Sequence, residues 1–434
     1  MVLSSCAQFR GDWYTALEMG RLRTRLLKRL PQLLPEPVGH ALDTTVSLME
    51  QRGSNLFLVG GAVRDLLLGS PLVDVDLVVE EDVIAVANDL RKRLRAKVVR
   101  HPRFGTAVVR GRGFRLDLAR ARTEYYTRPG ALPTVRPSTI DEDLDRRDFT
   151  INAMALRLVG DRPGELIDLH GGERDLGRKM IRVLHGESFE DDATRIFRAV
   201  RYAGRLGFRI ERKTAACLER DRGYVETISG TRLRREFERI AVEQQVGRII
   251  RLAARRQVLE AAHEEFTLDS RELRAVSRLP QLSASHRDAA LFCILLAQAA
   301  PSEAEEAIGR LAMTGRQAEA VAGLLGIQRH AGELSAPDVR PSVVVELLSP
   351  RPVEAVESFA LIAPVRAARR VRRYLDEWRF VRPRLDGRDL QRLGIERGPA
   401  VGSMLNALLA ARLDGRVTTS EDEVELVREL AERG

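Results

Sequence analysis

Residues 58–82 read LVGGAVRDLLLGSPLVDVDLVVEED. An apolar run ends in paired glycines. A helix-like segment, AVRDLLLG, follows, and a second apolar run then carries Asp74 and Asp76 on either side of a single valine. The pattern predicts strand, turn, helix, strand. Taking a carboxylate out of water costs several kcal/mol or more unless a partner compensates it. A strand with two of them therefore predicts a neutralising group. Strand side chains repeat with period two, so both carboxylates are expected on one side.

A hard divalent cation such as Mg²⁺ takes oxygen ligands and keeps waters and substrate phosphates as the others, which would relieve that pair. Asp117, on the later run FRLDLARA, is the third carboxylate if its strand lies beside the first. The plainer alternative is an acidic edge strand facing solvent. Gly60 and Gly61 sit between strand and helix, where backbone N–H groups can approach a phosphate and the helix N-terminus favours an anion. Arg64, one turn further on, can clamp the same phosphates. A GG turn alone is also ordinary turn geometry, and its weight comes from the carboxylate pair downstream.

Two later stretches extend the pattern. In RRDFTINAMA, Arg146 and Arg147 suit triphosphate oxygens, while Asp148 and Asn152 suit ribose hydroxyls. A charged helix N-terminus with Asp148 near its cap is the competing reading. In SFEDDATRIFRAVRY, Asp192 and Arg195 lie three apart on an expected helix and so share a face. Aspartate accepts from an exocyclic amine and arginine donates to the neighbouring ring atom. The pair should accept cytosine and adenine and refuse uracil and guanine. The alternative is a capping box from Ser188 to Asp191 leading a solvated helix, with Arg195, Arg198 and Arg201 on one stripe.

The chain has 434 residues, 71 Lys and Arg against 62 Asp and Glu, and a net charge of +9. Nearly all the positive charge is arginine, which suits bidentate phosphate contacts and implies a polyanionic partner: RNA, DNA or nucleotide. Three scattered cysteines, Cys6, Cys217 and Cys293, argue against a disulfide framework or a cysteine metal site and fit a reducing cytoplasm. No apolar run is long enough to span a bilayer, so no membrane association is expected, and nothing implies a protein partner.

Residues 1–50 read as a helical extension with a proline break in LPQLLPEPV. Thr127–Asp148, with three prolines, reads as a long loop. Beyond LIDLHGGERDLG, strand signals nearly vanish, leaving a small α/β head and about 250 helical residues. In PVRAARRVRRYLDEWRFVRPR, Arg366, Arg369, Arg370, Arg372 and Arg373 accompany Tyr374, Trp378 and Phe380, a mixture suited to phosphate contacts and stacking. Arg248, Arg251, Arg255 and Arg256 form a second basic stripe.

Together these residues resemble the class II tRNA nucleotidyltransferases, the bacterial and eukaryotic CCA-adding enzymes and their relatives the bacterial poly(A) polymerases. GGxVRDxLLGxxxxDxD matches Gly60–Asp76 and RRDxxxNA matches Arg146–Ala153. DLHGGERDL resembles the hinge motif. Asp191, Asp192 and Arg195 stand for an acidic pair, two residues and an arginine, with Asp-Asp where the family has Glu-Asp. TRLRREFERI is similar to the helix that closes the neck, and LDGRDLQRLGIERGPAVGSML to a stretch of the family's tail.

The resemblance implies a head of the DNA polymerase β-like nucleotidyltransferase fold over 51–176, with the N-terminal extension before it. An all-α neck with the nucleotide-selecting helix follows over 177–245, a body over 246–350 and a tRNA-binding tail over 351–434. It implies that Asp74 and Asp76 bind Mg²⁺, that Gly61 and Arg64 meet the triphosphate, and that Arg147, Asp192, Arg195, Arg198 and Arg201 meet the incoming nucleotide. The implied partners are the acceptor end of tRNA, with CTP and ATP as substrates for building or repairing CCA. An enzyme adding only A or only CC, a poly(A) polymerase, and a non-catalytic RNA-binding protein are the alternatives. The long loop favours retention of A addition.

Overall fold

The computed structural model describes residues 25–72, 74–125 and 134–433. Residues 1–24 of the expected extension and the PGALP stretch, 129–133, lie outside them. The chain divides into two compact units, Met1–Thr227 and Ile228–Gly434.

The first unit is built on a seven-stranded sheet in the order β3-β4-β5-β2-β1-β8-β9. Strand β1 is Leu56–Val59, β2 Val75–Val79, β3 Lys97–His101, β4 Thr106–Gly111 and β5 Phe114–Arg120. A separate hairpin pairs β6, Arg122–Tyr125, with β7, Thr134–Pro137. Strand β8 is Ala155–Val159 and β9 Leu166–Ile167. Neighbouring strands run antiparallel except β2 and β5, which are parallel with Asp76 opposite Asp117.

Alternation along the strands divides the core in two. Val75, Leu77, Val79, Leu116 and Leu118 join one cluster with residues of the helices Glu36–Arg52, Gly61–Leu68 and Val83–Arg93. Val78, Phe57, Val59, Ile140 and Leu144 join the other. Asp76 shares its side of β2 with Val78, so it faces the helix Ile140–Asp145 and whatever follows that helix.

Two expectations are corrected here. The described part of 1–50 is no separate extension: Leu26, Leu30, Ala41, Leu42, Leu48 and Met49 belong to the sheet's own core. Period-3.6 apolar residues on a helix need a surface to cover, and the sheet supplies it. The stretch Thr127–Asp148 is not a loop throughout, since β7 and the helix Ile140–Asp145 lie within it. Proline tolerates the edge position it takes in β7, which is why the breaker signal misled.

The second unit is helical. Its central helix, Arg287–Leu295, is buried from Ala289 to Leu295. Phe237 packs on Phe266 and Phe292 at centroid distances of 5.4 and 5.9 Å. Among the described residues no helix is long and apolar enough to cross a membrane. If Glu36–Arg52 is part of the head's core, Met49→Ala should lower the unfolding free energy by about 2–5 kcal/mol, read by urea denaturation. A loss near zero would mark the helix as an appendage.

Candidate active site

Asp76 is half-buried beside its ladder partner Asp117. Burial foremost, and then the charges of Asp117 and Asp74, push its carboxyl above the usual range, against the pull of Arg147 and Arg115. Asp74 lies just ahead of β2 rather than within it, and is exposed. Its field nonetheless reaches both Asp76 and Arg115. Asp117 is gripped by Arg115, two residues earlier on the same face: Nε donates to Oδ2 at 2.8 Å and Nη2 to Oδ1 at 2.9 Å. With Asp117 held there, no group of three or more His, Cys, Asp or Glu among the described residues is gathered to hold a metal ion. Asp74 and Asp76 nonetheless supply carboxylate oxygens with surplus negative charge, chemistry that fits a hard divalent cation.

The turn after β1 brings a cation to these acids. Gly60 has φ 67° and ψ −130°, a conformation that strains any residue with a side chain. A Cβ there would lie 2.8 Å from Arg147 Nη1, so the turn must be bare for Arg147 to lie over it. Arg147 is fixed from behind by Asp143, whose Oδ2 accepts from Nη2 at 2.9 Å. Asp143 is fully buried, and its Oδ1 accepts from Arg146 Nη2 at 2.6 Å. Burial pushes the Asp143 carboxyl up, but Arg147 and Arg146 outweigh it and hold it below the usual range. Arg147 Nε is buried with no hydrogen-bond partner among the described residues.

From the turn a polar relay runs to the helix Thr194–Leu206. Arg64, 2% exposed, forks onto Asp65 through Nε and Nη2, each at 2.9 Å, and its Nη1 donates to Asn152 Oδ1 at 2.7 Å. Asn152 Nδ2 donates onward to Asp148 Oδ1 at 3.1 Å, and Asp148 Oδ2 accepts from Arg198 Nε at 2.7 Å. An amide can accept from a cation with its oxygen and donate to an anion with its nitrogen, and Asn152 is used in that way. Burial raises the Asp148 carboxyl, yet Arg198, Asn152 and Arg195 more than offset it and keep it low. Asp148 and Asn152 are thus buried links of the relay.

The head, from Leu56 to Arg182, matches the Poly A polymerase head domain family over residues 56–182. Over 94% of the chain, it is 32% identical to an A-adding tRNA nucleotidyltransferase of Geobacter sulfurreducens. It spans only 49% of that relative's length. A solved structure of a CCA-adding enzyme in an apo form is 30% identical and superposes with a TM-score of 0.80, covering 93% of this chain and 98% of that one. Thermotoga maritima CCA-adding enzyme complexed with tRNA is 29% identical, with a TM-score of 0.76 over 94% and 98% of the two chains. The chain belongs to the class II tRNA nucleotidyltransferase family.

The remaining expected site residues take more varied places than their motifs suggest. Asp192 and Arg195 do not share a helical face. Asp192 precedes the helix and caps it, its Oδ1 accepting from Thr194 N at 3.0 Å and Thr194 Oγ1 at 2.8 Å. Arg195 is buried and donates to Ser188 O, Ser188 Oγ and Arg146 O at 3.2, 2.8 and 2.7 Å. Local side-chain capping broke the helix that the periodicity had joined. Arg201 keeps a buried Nε without a hydrogen-bond partner, like Arg147. Asp168, at the hinge motif, accepts from Gly172 N at 2.7 Å and Glu173 N at 3.0 Å.

On the helix Val365–Asp376, Arg366, Arg369, Arg372 and Arg373 are exposed. Arg370 is not available in the same way, since it donates to the carbonyls of Leu334, Ala336 and Pro337. Tyr374 and Trp378 are buried, whereas Phe380 is 62% exposed. On the second stripe, Arg248, Arg251 and Arg255 are exposed.

Sequence reasoning missed Asp143, Arg115 and Tyr202. The signal for Asp143 was its spacing, three and four residues before Arg146 and Arg147, which becomes visible once 140–145 is read as a helix. Arg115 stands one pleat from Asp117, and Tyr202 follows Arg198 by one helical turn.

Two outcomes test this geometry. A carboxyl raised by the fold disfavours its charged form, so ionised Asp76 weakens the metal-free protein above its raised pKa, and the penalty fades as pH falls towards the ordinary carboxylate value. Asp76→Asn should therefore raise the melting temperature at pH 7 without metal, with the gain vanishing in acid. A lowered melting temperature at pH 7 would contradict the electrostatics. Gly60→Ala should cost about 1–3 kcal/mol through backbone strain and displacement of Arg147. In a double-mutant cycle, Arg147→Ala should relieve part of that cost; strict additivity would mean the two do not touch.

Proposed function

We propose that this protein is a tRNA nucleotidyltransferase that adds nucleotides from CTP and ATP to the 3′ end of tRNA to build or repair CCA. The observation that carries the reading is the placement of Asp76 and Asp117 as ladder partners, with Asp76 in the field of Arg147 over the bare Gly60 turn. Acidic ligands beside cations with spare donors suit a metal-bound triphosphate. The family relatives named for A addition and CCA addition support it.

In this reading Asp74 and Asp76 would hold Mg²⁺, which when bound supplies positive charge to the reacting phosphates. The RNA 3′-oxygen forms a bond to the α-phosphorus, the bond to the bridging oxygen breaks, and pyrophosphate leaves with that oxygen. Asp117, oriented by both contacts from Arg115, stands ready to accept the hydroxyl proton. The unpartnered Nε groups of Arg147 and Arg201 are donors for phosphate oxygens. Asp148 and Asn152 keep Arg64 and Arg198 in register. The exposed Arg366, Arg369, Arg372 and Arg373 provide backbone contacts for an RNA bound by shape rather than sequence.

Addition of A alone is the second reading, raised by the A-adding name of the relative from Geobacter sulfurreducens. The test supplies the purified protein and Mg²⁺ with tRNA ending at the discriminator base, at C or at CC, each with CTP or ATP. The expected outcome is C incorporation on the first two substrates and A on the third. A on the CC end with no C on either shorter substrate would identify the A-only enzyme. Long A tails on unrelated RNA would identify a poly(A) polymerase. Asp76→Ala should abolish all incorporation, a loss of at least a thousandfold, and unchanged incorporation would remove the acid from the reaction.

A further inference from the structure

Tyr202 stands among arginines brought from two separate helices. The guanidinium carbons of Arg64, Arg198 and Arg201 lie 5.3, 5.5 and 5.2 Å from its ring centroid. Arg198 Nη2 also donates to its hydroxyl at 3.3 Å. Phe149 meets the ring edge to face, with centroids 6.0 Å apart, and so fixes its plane.

Three like charges around one ring repel each other, and the compensation is uneven. Asp65 answers Arg64, and Asp148 answers Arg198. Arg201 has no carboxylate partner among the described residues, and its Nε is buried without an acceptor. A buried, unsatisfied donor on a cation is costly. The π face of the ring is an attraction that Arg201 shares with Arg64 and Arg198. A cationic group held by an aromatic face, with a donor left over, is arranged for an anion.

We propose that Tyr202 is a positioning residue whose ring face holds Arg64, Arg198 and Arg201 as a fan that binds the polyphosphate of the incoming nucleotide. The inference rests on the transferase reading for the identity of the ligand. The ring itself touches neither substrate nor metal. Its contribution is to keep three mutually repelling cations at one place before the polyphosphate arrives, which lowers the ordering that binding would otherwise require.

The test varies the electrons of the ring at nearly constant shape. Tyr202 is replaced in the full chain by phenylalanine carrying no, one, two or three ring fluorines, and inorganic tripolyphosphate binding is measured by calorimetry beside the melting temperature. Tyr202→Phe should bind within about twofold of wild type. Each fluorine should weaken binding, to about tenfold at three, while the melting temperature stays level, because fluorination drains the negative face that attracts cations. Tyr202→Leu should bind at least as weakly as the trifluoro form. A flat fluorine series would overturn the proposal, as would Tyr202→Phe failing as badly as Tyr202→Leu, or a wild type that does not bind tripolyphosphate. A graded series in a protein that incorporates no nucleotide into tRNA would sustain the role of Tyr202 and defeat the transferase reading instead.

Discussion

Asp76 and Asp117 stand opposite each other on adjacent parallel strands, and neither can withdraw without opening the ladder that holds the sheet together. Their repulsion is therefore a fixed property of the head, and much of the surrounding architecture answers it. Arg115 reaches back along β5 to hold Asp117. Arg147 is brought over a turn that only glycine can make without strain, and its field opposes the upward shift of Asp76. Behind Arg147, the buried Asp143 anchors the cation that answers the acids in front. Charge alternates outward from the sheet, and each layer fixes the next.

The arginine surplus that marks the sequence is spent in two different ways. Arg64, Arg195 and Arg370 turn most of their donors onto protein oxygens, and there the guanidinium acts as a multi-point fastener between segments distant in sequence. Arg147 and Arg201 each retain a buried donor with no partner, and Arg366, Arg369, Arg372 and Arg373 face solvent. A planar group with five donors can do both jobs at once, holding a strand with some and offering others. That explains why lysine, a point charge on a flexible stem, is so scarce here.

How much of this was legible in the sequence depended on the range of the interaction. Strands β1, β2 and β5 followed from short apolar runs, and Asp117 was read as a third acid if its strand lay beside the first, a condition that the pairing of β2 with β5 meets. The helix Ile140–Asp145 was hidden because the prolines around it outweighed a six-residue segment with four acidic residues, whose stability comes from Ile140 and Leu144 packing on the sheet. Asp192 and Arg195 were placed on one helix because their spacing allows it, whereas the hydroxyl of Thr194 supplies a competing local bond. The relay through Asn152 joins residues from three parts of the chain, a closure that no local pattern encodes.

Residues 56–182 match the head family as a unit, yet the relay and the aromatic fan are completed by Arg198, Arg201 and Tyr202, beyond that boundary. On the ribosome, the facing acids emerge long before the helix that carries these side chains. Until Tyr202 has left the exit tunnel, the nascent head holds its anions without the full set of counter-charges, so the pocket can assemble only after translation has passed well beyond the sheet. A polypeptide cut at 182 would retain the facing acids and lose Arg198, Arg201 and Tyr202.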